Sequence, residues 1–354
     1  METFIVVPCL NEQEHLAATC SSLGFSCGCS SRARLVLVDN DSTDATPRVM
    51  AQIRDSMGLG EVLLVHEPVR GYVPARRAGV RGVAEFARKE RLPLDDIFVL
   101  QADADTVYLP GYIDAMRGAL SGRRGEFLEG AAVTGRHFSA QFREFDELCR
   151  SVDSAMEPWL AGEDAQIVVD DKICGFLLSD YYDWGEHTRE VDDFGQEIHA
   201  ETTRLFMRAK QRGPIRRVKV DAARAVPSRR KLYVQAPAYF ASAGFPRDAE
   251  WVRSWTQEPE ASREFLASPH GWRSVERAIK SRRRHQLALF ALLPAIFQTN
   301  AEIAPYLAAL ASNLRQAVGR EPGSVLGLLL SLADEENGVL DAVMTRNSSL
   351  NDLH

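Results

Sequence analysis

Four short apolar runs punctuate the first hundred residues, and each closes on a polar loop. Phe4-Ile5-Val6-Val7 ends at Pro8, and Arg34 to Val38 leads into Asp39-Asn40-Asp41-Ser42-Thr43-Asp44. Glu61 to His66 is followed by Arg70-Gly71, and Ile97 to Gln101 by Asp103-Ala104-Asp105. Helix-period stretches lie between them, at about 12–23, 45–57 and 75–89. This strand, loop, helix order predicts parallel strands joined by right-handed crossovers. Ligands of such sheets sit at the carboxyl ends of the strands, so the polar residues just past each strand are the ones to question.

Beyond residue 130 the pattern is mixed. Ala131 to Thr134 and Ile173 to Leu178 suit further strands, Thr202 to Arg212 reads as a helix stopped by Gly213-Pro214, and Ile215 to Val220 reads as an edge strand. After Ser228-Arg229-Arg230 the character changes to helical stretches rich in Leu and Ala, which also hold Trp251, Trp255 and Trp272. A boundary is expected near 230 to 245, giving a first domain over 1–235 and a mostly helical region over 236–354.

Composition removes several classes of function. With 45% hydrophobic and 26% charged residues the chain is neither disordered nor a low-complexity polymer. A net charge of -7 argues against nucleic acid as a partner. The longest apolar run, Leu287 to Phe297, contains Pro294 and is 11 residues long, against the about 20 of a spanning helix. Met1-Glu2-Thr3 has no basic segment and runs straight into the first strand, so a cytoplasmic protein is expected. Cys20, Cys27 and Cys29 have no second ligand cluster to complete a zinc site, and reduced thiols are expected for all six cysteines.

Two carboxylates one residue apart at a strand end, Asp103 and Asp105, suit a hard divalent cation that neutralises a diphosphate leaving group. Three more segments stand in order with them: Val7-Pro8-Cys9-Leu10-Asn11-Glu12, the Asp39 to Asp44 loop, and Arg70-Gly71-Tyr72-Val73-Pro74-Ala75-Arg76-Arg77-Ala78-Gly79. Together, over roughly residues 1 to 230, they resemble the family 2 glycosyltransferases. The resemblance implies the α/β GT-A (Rossmann-like) fold, a mixed, mostly parallel sheet flanked by helices, with a helical C-terminal subdomain added here. It implies a nucleoside-diphosphate sugar donor, with Pro8, Asn11, Glu12, Asp39, Asn40, Gly71, Arg76, Asp103 and Ala104 around the nucleotide, and Mn2+ or Mg2+ on Asp103 and Asp105. Asn40 stands where the family usually has a second Asp, and Arg77 where it often has Asn.

The family takes the acceptor proton with an acid from a Glu-Asp pair that opens a late helix. Ala200-Glu201-Thr202-Thr203-Arg204 matches that helix, with Thr202 in place of the Asp. Glu201 is the first candidate base, Asp193 the second and Asp192 the third; a glutamate there also suits a helix N-terminus electrostatically. His199 is a candidate third metal ligand, and Arg229 a candidate clasp for the departing diphosphate. The basic stretch Ser281-Arg282-Arg283-Arg284-His285 suits a peripheral membrane contact or an inward-packed helix, the latter favoured, and a homodimer is compatible with the C-terminal helices. The expected function is metal-dependent transfer of a sugar to an unidentified acceptor hydroxyl with inversion. The alternatives are a retaining transferase and a noncatalytic nucleotide-sugar-binding protein.

Overall fold

The computed structural model describes residues 1–26, 33–58, 60–191, 197–246, 250–256, 259–297 and 302–351. Cys27, Cys29, Asp192 and Asp193 lie outside the described residues. The chain groups into two compact units. One comprises 1–134, 169–191 and 200–228; the other comprises 135–168, 192–199 and 229–354.

The first unit is built on one sheet of eight strands among the described residues: β1 (Glu2–Cys9), β2 (Arg34–Asp39), β3 (Val62–His66), β4 (Ile97–Gln101), β5 (Val107–Tyr108), β6 (Glu126–Ala132), β7 (Cys174–Leu177) and β8 (Arg216–Val226). Their order is β3-β2-β1-β4-β7-β6-β8-β5. The pairs among β3, β2, β1 and β4 are parallel, as is β6 with β8, while β7 runs antiparallel to both its neighbours and β5 antiparallel to β8. The expected mixed, mostly parallel sheet flanked by helices is thus present.

Phe4 to Val7 are fully buried in the middle of this sheet, which is why the run is apolar on both faces. The helix Tyr72–Glu90 lies close against it. A Cβ placed on Gly79 would stand 2.3 Å from Val6 Cγ1 and 2.9 Å from Val38 Cγ2, so glycine sets the approach of that helix. The apolar cluster on the other side draws on Ile5, Leu16, Leu37, Met50, Leu100 and Met116.

Two expectations are corrected. The strand placed at 131–134 lies earlier, at Glu126–Ala132, because Glu126 and Glu129 face Arg216, Arg217 and Lys219 across the β6–β8 pair and so hide its charged start from a hydropathy reading. The segment from 215 is no edge strand; it extends to Val226 and pairs with β6 on one side and β5 on the other.

In the second unit, Phe145, Phe240, Phe265 and Trp272 form an aromatic core with ring centroids 5.1 to 6.2 Å apart. The basic stretch at 281–285 turns inward: Arg282 grips Asp153 through Nε at 2.7 Å and Nη2 at 2.8 Å, Arg284 donates to the carbonyl of Ala333 at 2.8 Å, and His285 is fully buried. The basic face that a peripheral membrane contact would use is therefore not formed by these three residues. No described helix is long and apolar enough to cross a membrane.

Candidate active site

The loops after β1 and β2 are stitched to each other. Asn11, in the left-handed region at φ 57°, accepts through Oδ1 from the Thr43 amide at 2.8 Å, and its own amide donates to Ser42 Oγ at 3.1 Å. The Glu12 amide donates to buried Thr46 Oγ1 at 2.7 Å. Pro8, half-buried, stays within β1 opposite Val38. Asp39 accepts from the Ser42 amide at 3.1 Å and meets His66 Nδ1 at 3.1 Å. His66, exposed at the tip of β3, has no counterpart among the sequence candidates.

Asn40 is a clamp. Its Nδ2 donates to the carbonyls of Glu67 at 3.1 Å and Val69 at 2.7 Å, while Oδ1 accepts from the Gly71 amide at 3.0 Å. A carboxylate has no donor for those two carbonyls, which explains an amide where an acid was expected. Asn40 is thereby committed to backbone and holds the turn at Gly71, whose φ of 144° favours glycine, at the head of the helix that carries Arg76.

Arg76 is the centre of the site. Its side chain is only 4% exposed and is gripped by three carboxylates from distant parts of the first unit: Nε donates to Glu201 Oε1 at 2.7 Å, and Nη2 to Asp103 Oδ1 and Asp171 Oδ2, each at 2.9 Å. Burial lowers its pKa, but Asp171, Asp103 and Glu201 outweigh that and raise it well above the ordinary value. Lys172 holds Asp170 at 2.5 Å. Tyr108 ties the two acidic loops together, accepting from the Asp103 amide at 3.1 Å and donating to the Lys172 carbonyl at 2.8 Å.

Within this cluster the carboxyl of Asp103 is pushed up to about 7 by partial burial and by the charge of Asp171, against the opposing pull of Arg76 and Lys172. Glu201 is raised by burial, with Arg76 opposing. It does not present the open carboxylate expected of a base: it is 3% exposed, and Arg76 covers one of its oxygens. Asp171, 35% exposed on the same guanidinium, is the more open acid. In the sequence the Asp170-Asp171 pair suits a hydroxyl-rich ligand or a surface loop equally well, and Lys172 and Tyr108 are not among the sequence candidates.

Thr202 is fully buried. Its hydroxyl donates to Gln101 Oε1 at 3.3 Å and lies 3.4 Å from Nε2 of His187, whose Nδ1 is 3.1 Å from the Tyr181 hydroxyl. Burial, with Arg76, Arg208, Arg204 and Arg77 nearby, holds the His187 pKa well below its ordinary value. An aspartate at 202 would be a charge inside this neutral relay, so the substitution follows from packing. Ala104 is buried too, its carbonyl accepting from Thr19 Oγ1 at 2.9 Å. His199 and Arg229 belong to the second unit, where the Arg229 guanidinium sits 5.2 Å over the Phe138 ring.

Asp103 and Asp105 offer the hard oxygen ligands that Mg2+ or Mn2+ takes, and Asp103 and Asp171 converge on one nitrogen, so their oxygens are near neighbours. Among the described residues, no three His, Cys, Asp or Glu side chains are grouped to hold an ion by themselves. A cation on Asp103 and Asp105 would therefore have to take its remaining ligands from elsewhere, such as a bound diphosphate.

No curated protein matches the chain. Solved structures similar to it include residues 1–349 of TarS from S. aureus, at 12% identity and a TM-score of 0.46, covering 94% of this chain and 90% of that one. The mannosyltransferase PcManGT from Pyrobaculum calidifontis, in complex with GDP-Man and Mn2+, is 16% identical at a TM-score of 0.45, covering 94% and 88%. Glucosyl-3-phosphoglycerate synthase from Mycobacterium tuberculosis with UDP is 15% identical at 0.39, covering 80% of each chain. Likenesses this distant carry no residue roles. The Glycosyl transferase family 2 pattern matches residues 4–124, which contain the loops after β1, β2, β3 and β4 with Asn11, Asp39, Asn40, Arg76 and Asp103. Over that segment the chain is similar to glycosyl transferase family 2.

Proposed function

We propose that the first unit binds a nucleoside-diphosphate sugar and transfers its sugar to an acceptor hydroxyl, with inversion and with a divalent cation. The observation that carries this reading is the convergence of Asp103, Asp171 and Glu201 on buried Arg76 at the carboxyl end of the sheet, beside the stitched loops of Asn11 and Asp39. Asp103 and Asp105 would hold Mn2+ or Mg2+, which when bound supplies the positive charge that a departing diphosphate needs.

The remaining roles fall to side chains of the same unit. Asp39 and His66 face the nucleoside, and Asn40 fixes the Gly71 turn against which it rests. Arg76 orients Asp103 and Asp171, and Glu201 is a positioning residue that keeps Arg76 in place. Asp171 takes the acceptor proton: of the three acids on Arg76, Asp103 is assigned to the cation and Glu201 is far less exposed; Asp193, outside the described residues, is the alternative base. A base must be reachable by the acceptor, and 35% against 3% exposure decides between Asp171 and Glu201.

Thermal shift against UDP, GDP, dTDP and CMP sugars with and without Mn2+ identifies the donor, because a ligand bound only by the folded state raises its stability. Turnover is then followed as nucleotide release. A donor that binds without being consumed in the presence of any tested acceptor or water would leave only the binding half of the reading.

A further inference from the structure

The second unit holds a cavity of about 270 Å3, lined by Trp251, Trp255, Arg277, Arg284, Asp334 and Glu336. It lies at the low end of ligand-site volumes, roughly right for one ring of about a dozen non-hydrogen atoms. The two indoles meet edge to face, with centroids 5.2 Å apart and planes at 73°. Trp272 backs Trp255 at 5.6 Å.

The polar groups are fixed rather than loose. The Trp251 indole N–H donates to Asp334 Oδ1 at 2.9 Å, and fully buried His285 brings Nε2 to 3.4 Å from the same oxygen. His285 is itself oriented by its Nδ1, 2.9 Å from the Ser281 carbonyl. Arg284, 3% exposed, donates to the Ala333 carbonyl at 2.8 Å and pairs with Asp341 at 3.1 Å. Arg277 lies 5.4 Å over the Trp255 ring and pairs with Glu336 at 2.5 Å. That last pair is about half exposed, at 50% and 45%, and forms an adjustable rim.

Two guanidinium and two carboxylate groups line the cavity, so their formal charges cancel, and each guanidinium is already paired. The lining as a whole therefore carries no net charge that would favour an anion over a cation. It offers aromatic surface beside a dense set of hydrogen-bond donors and acceptors, and that combination matches a sugar ring, whose C–H face packs on an indole while its hydroxyls pair with carboxylate and guanidinium. We propose that this cavity is a saccharide-binding site for one neutral sugar residue, with Trp251 and Trp255 as the apolar wall and Asp334, Glu336 and Arg277 as hydroxyl partners. Every residue it uses lies between 251 and 336, so the proposal does not rest on the nucleotide reading of the first unit.

The full chain is titrated by calorimetry with glucose, mannose, galactose, N-acetylglucosamine, maltose and cellobiose, and with choline and sulfate as charged probes. Saturable binding of at least one neutral saccharide is expected, retained in Asp103→Ala and weakened at least tenfold in Trp255→Ala and in Glu336→Gln. Glu336 is on the half-exposed rim, so its amide variant tests the site even where Trp255→Ala disturbs the aromatic core, and circular dichroism checks that both are folded. The proposal is overturned if no neutral saccharide saturates, if only choline or sulfate does, if the binding is lost in Asp103→Ala, or if folded Glu336→Gln binds as the parent does.

Discussion

Asn40 shows how much one atom can decide. Asn40→Asp replaces a donor by an acceptor facing the carbonyls of Glu67 and Val69, 3.1 and 2.7 Å away. The two partly buried carbonyls lose their donor and gain a like charge, so a loss of about 1 kcal/mol in urea unfolding is expected. An unchanged midpoint would remove Asn40 from its role as clamp. Asp103 supplies a pH signature. The folded carboxyl, pushed up to about 7 from 3.8, keeps its proton where the unfolded chain has lost it. Its contribution to stability is therefore complete below the unfolded value and is lost as pH rises toward 7. In EDTA, the Tm of the parent minus that of Asp103→Asn should fall between pH 5 and 7.5; a flat difference contradicts the shift. Arg76, Asp103 and Glu201 were legible as site residues, but their convergence with Asp171 was not, because the three acids lie 27, 95 and 125 positions from Arg76 and only the fold brings them together.

At the scale of elements, the first four strands could be read from the chain because each is an apolar run closed by a polar loop. β6 and β8 were harder: their charges pair across the sheet, Arg217 and Lys219 on Glu129, and cross-strand pairing leaves no trace in linear hydropathy. The two-residue β5 is too short for any pattern to reveal. The helix Tyr72–Glu90 links element to site, since its distance from the sheet sets where Arg76 falls. Gly79→Ala should cost about 1–3 kcal/mol by overpacking on Val6 and Val38. Donor affinity should fall with it. Gly118→Ala, in the helix Tyr112–Ala119 with nothing within 4 Å of the added carbon, is the control and should stabilise by roughly 0.5–1 kcal/mol. Equal effects of the two substitutions in chemical denaturation would show that the close approach at Gly79 does not matter.

Across the whole molecule, the family pattern ends at residue 124, and the organisation beyond it follows from packing alone. The second unit's helices carry Arg282 and Arg284 as internal ties, so a stretch that looks like a basic surface in the sequence is spent on Asp153 and Asp341. Charge counted along a chain says little about charge on a surface once long side chains turn inward. The division into two units also makes the donor reading testable at this scale. A ligand bound at a hundred times its Kd adds about 2.7 kcal/mol to the state that binds it, and the gain is concentrated in segments whose opening breaks the site. Hydrogen exchange with a matched nucleotide sugar and Mn2+ should therefore slow at 39–43, 67–76, 102–106 and 170–172, the loops that hold Asp39, Arg76, Asp103 and Asp171. The helices Pro305–Val318 and Pro322–Asp334 supply none of these groups and should exchange as before. Protection confined to those two helices would move the donor site out of the first unit and detach Asp103 from its role at the leaving group.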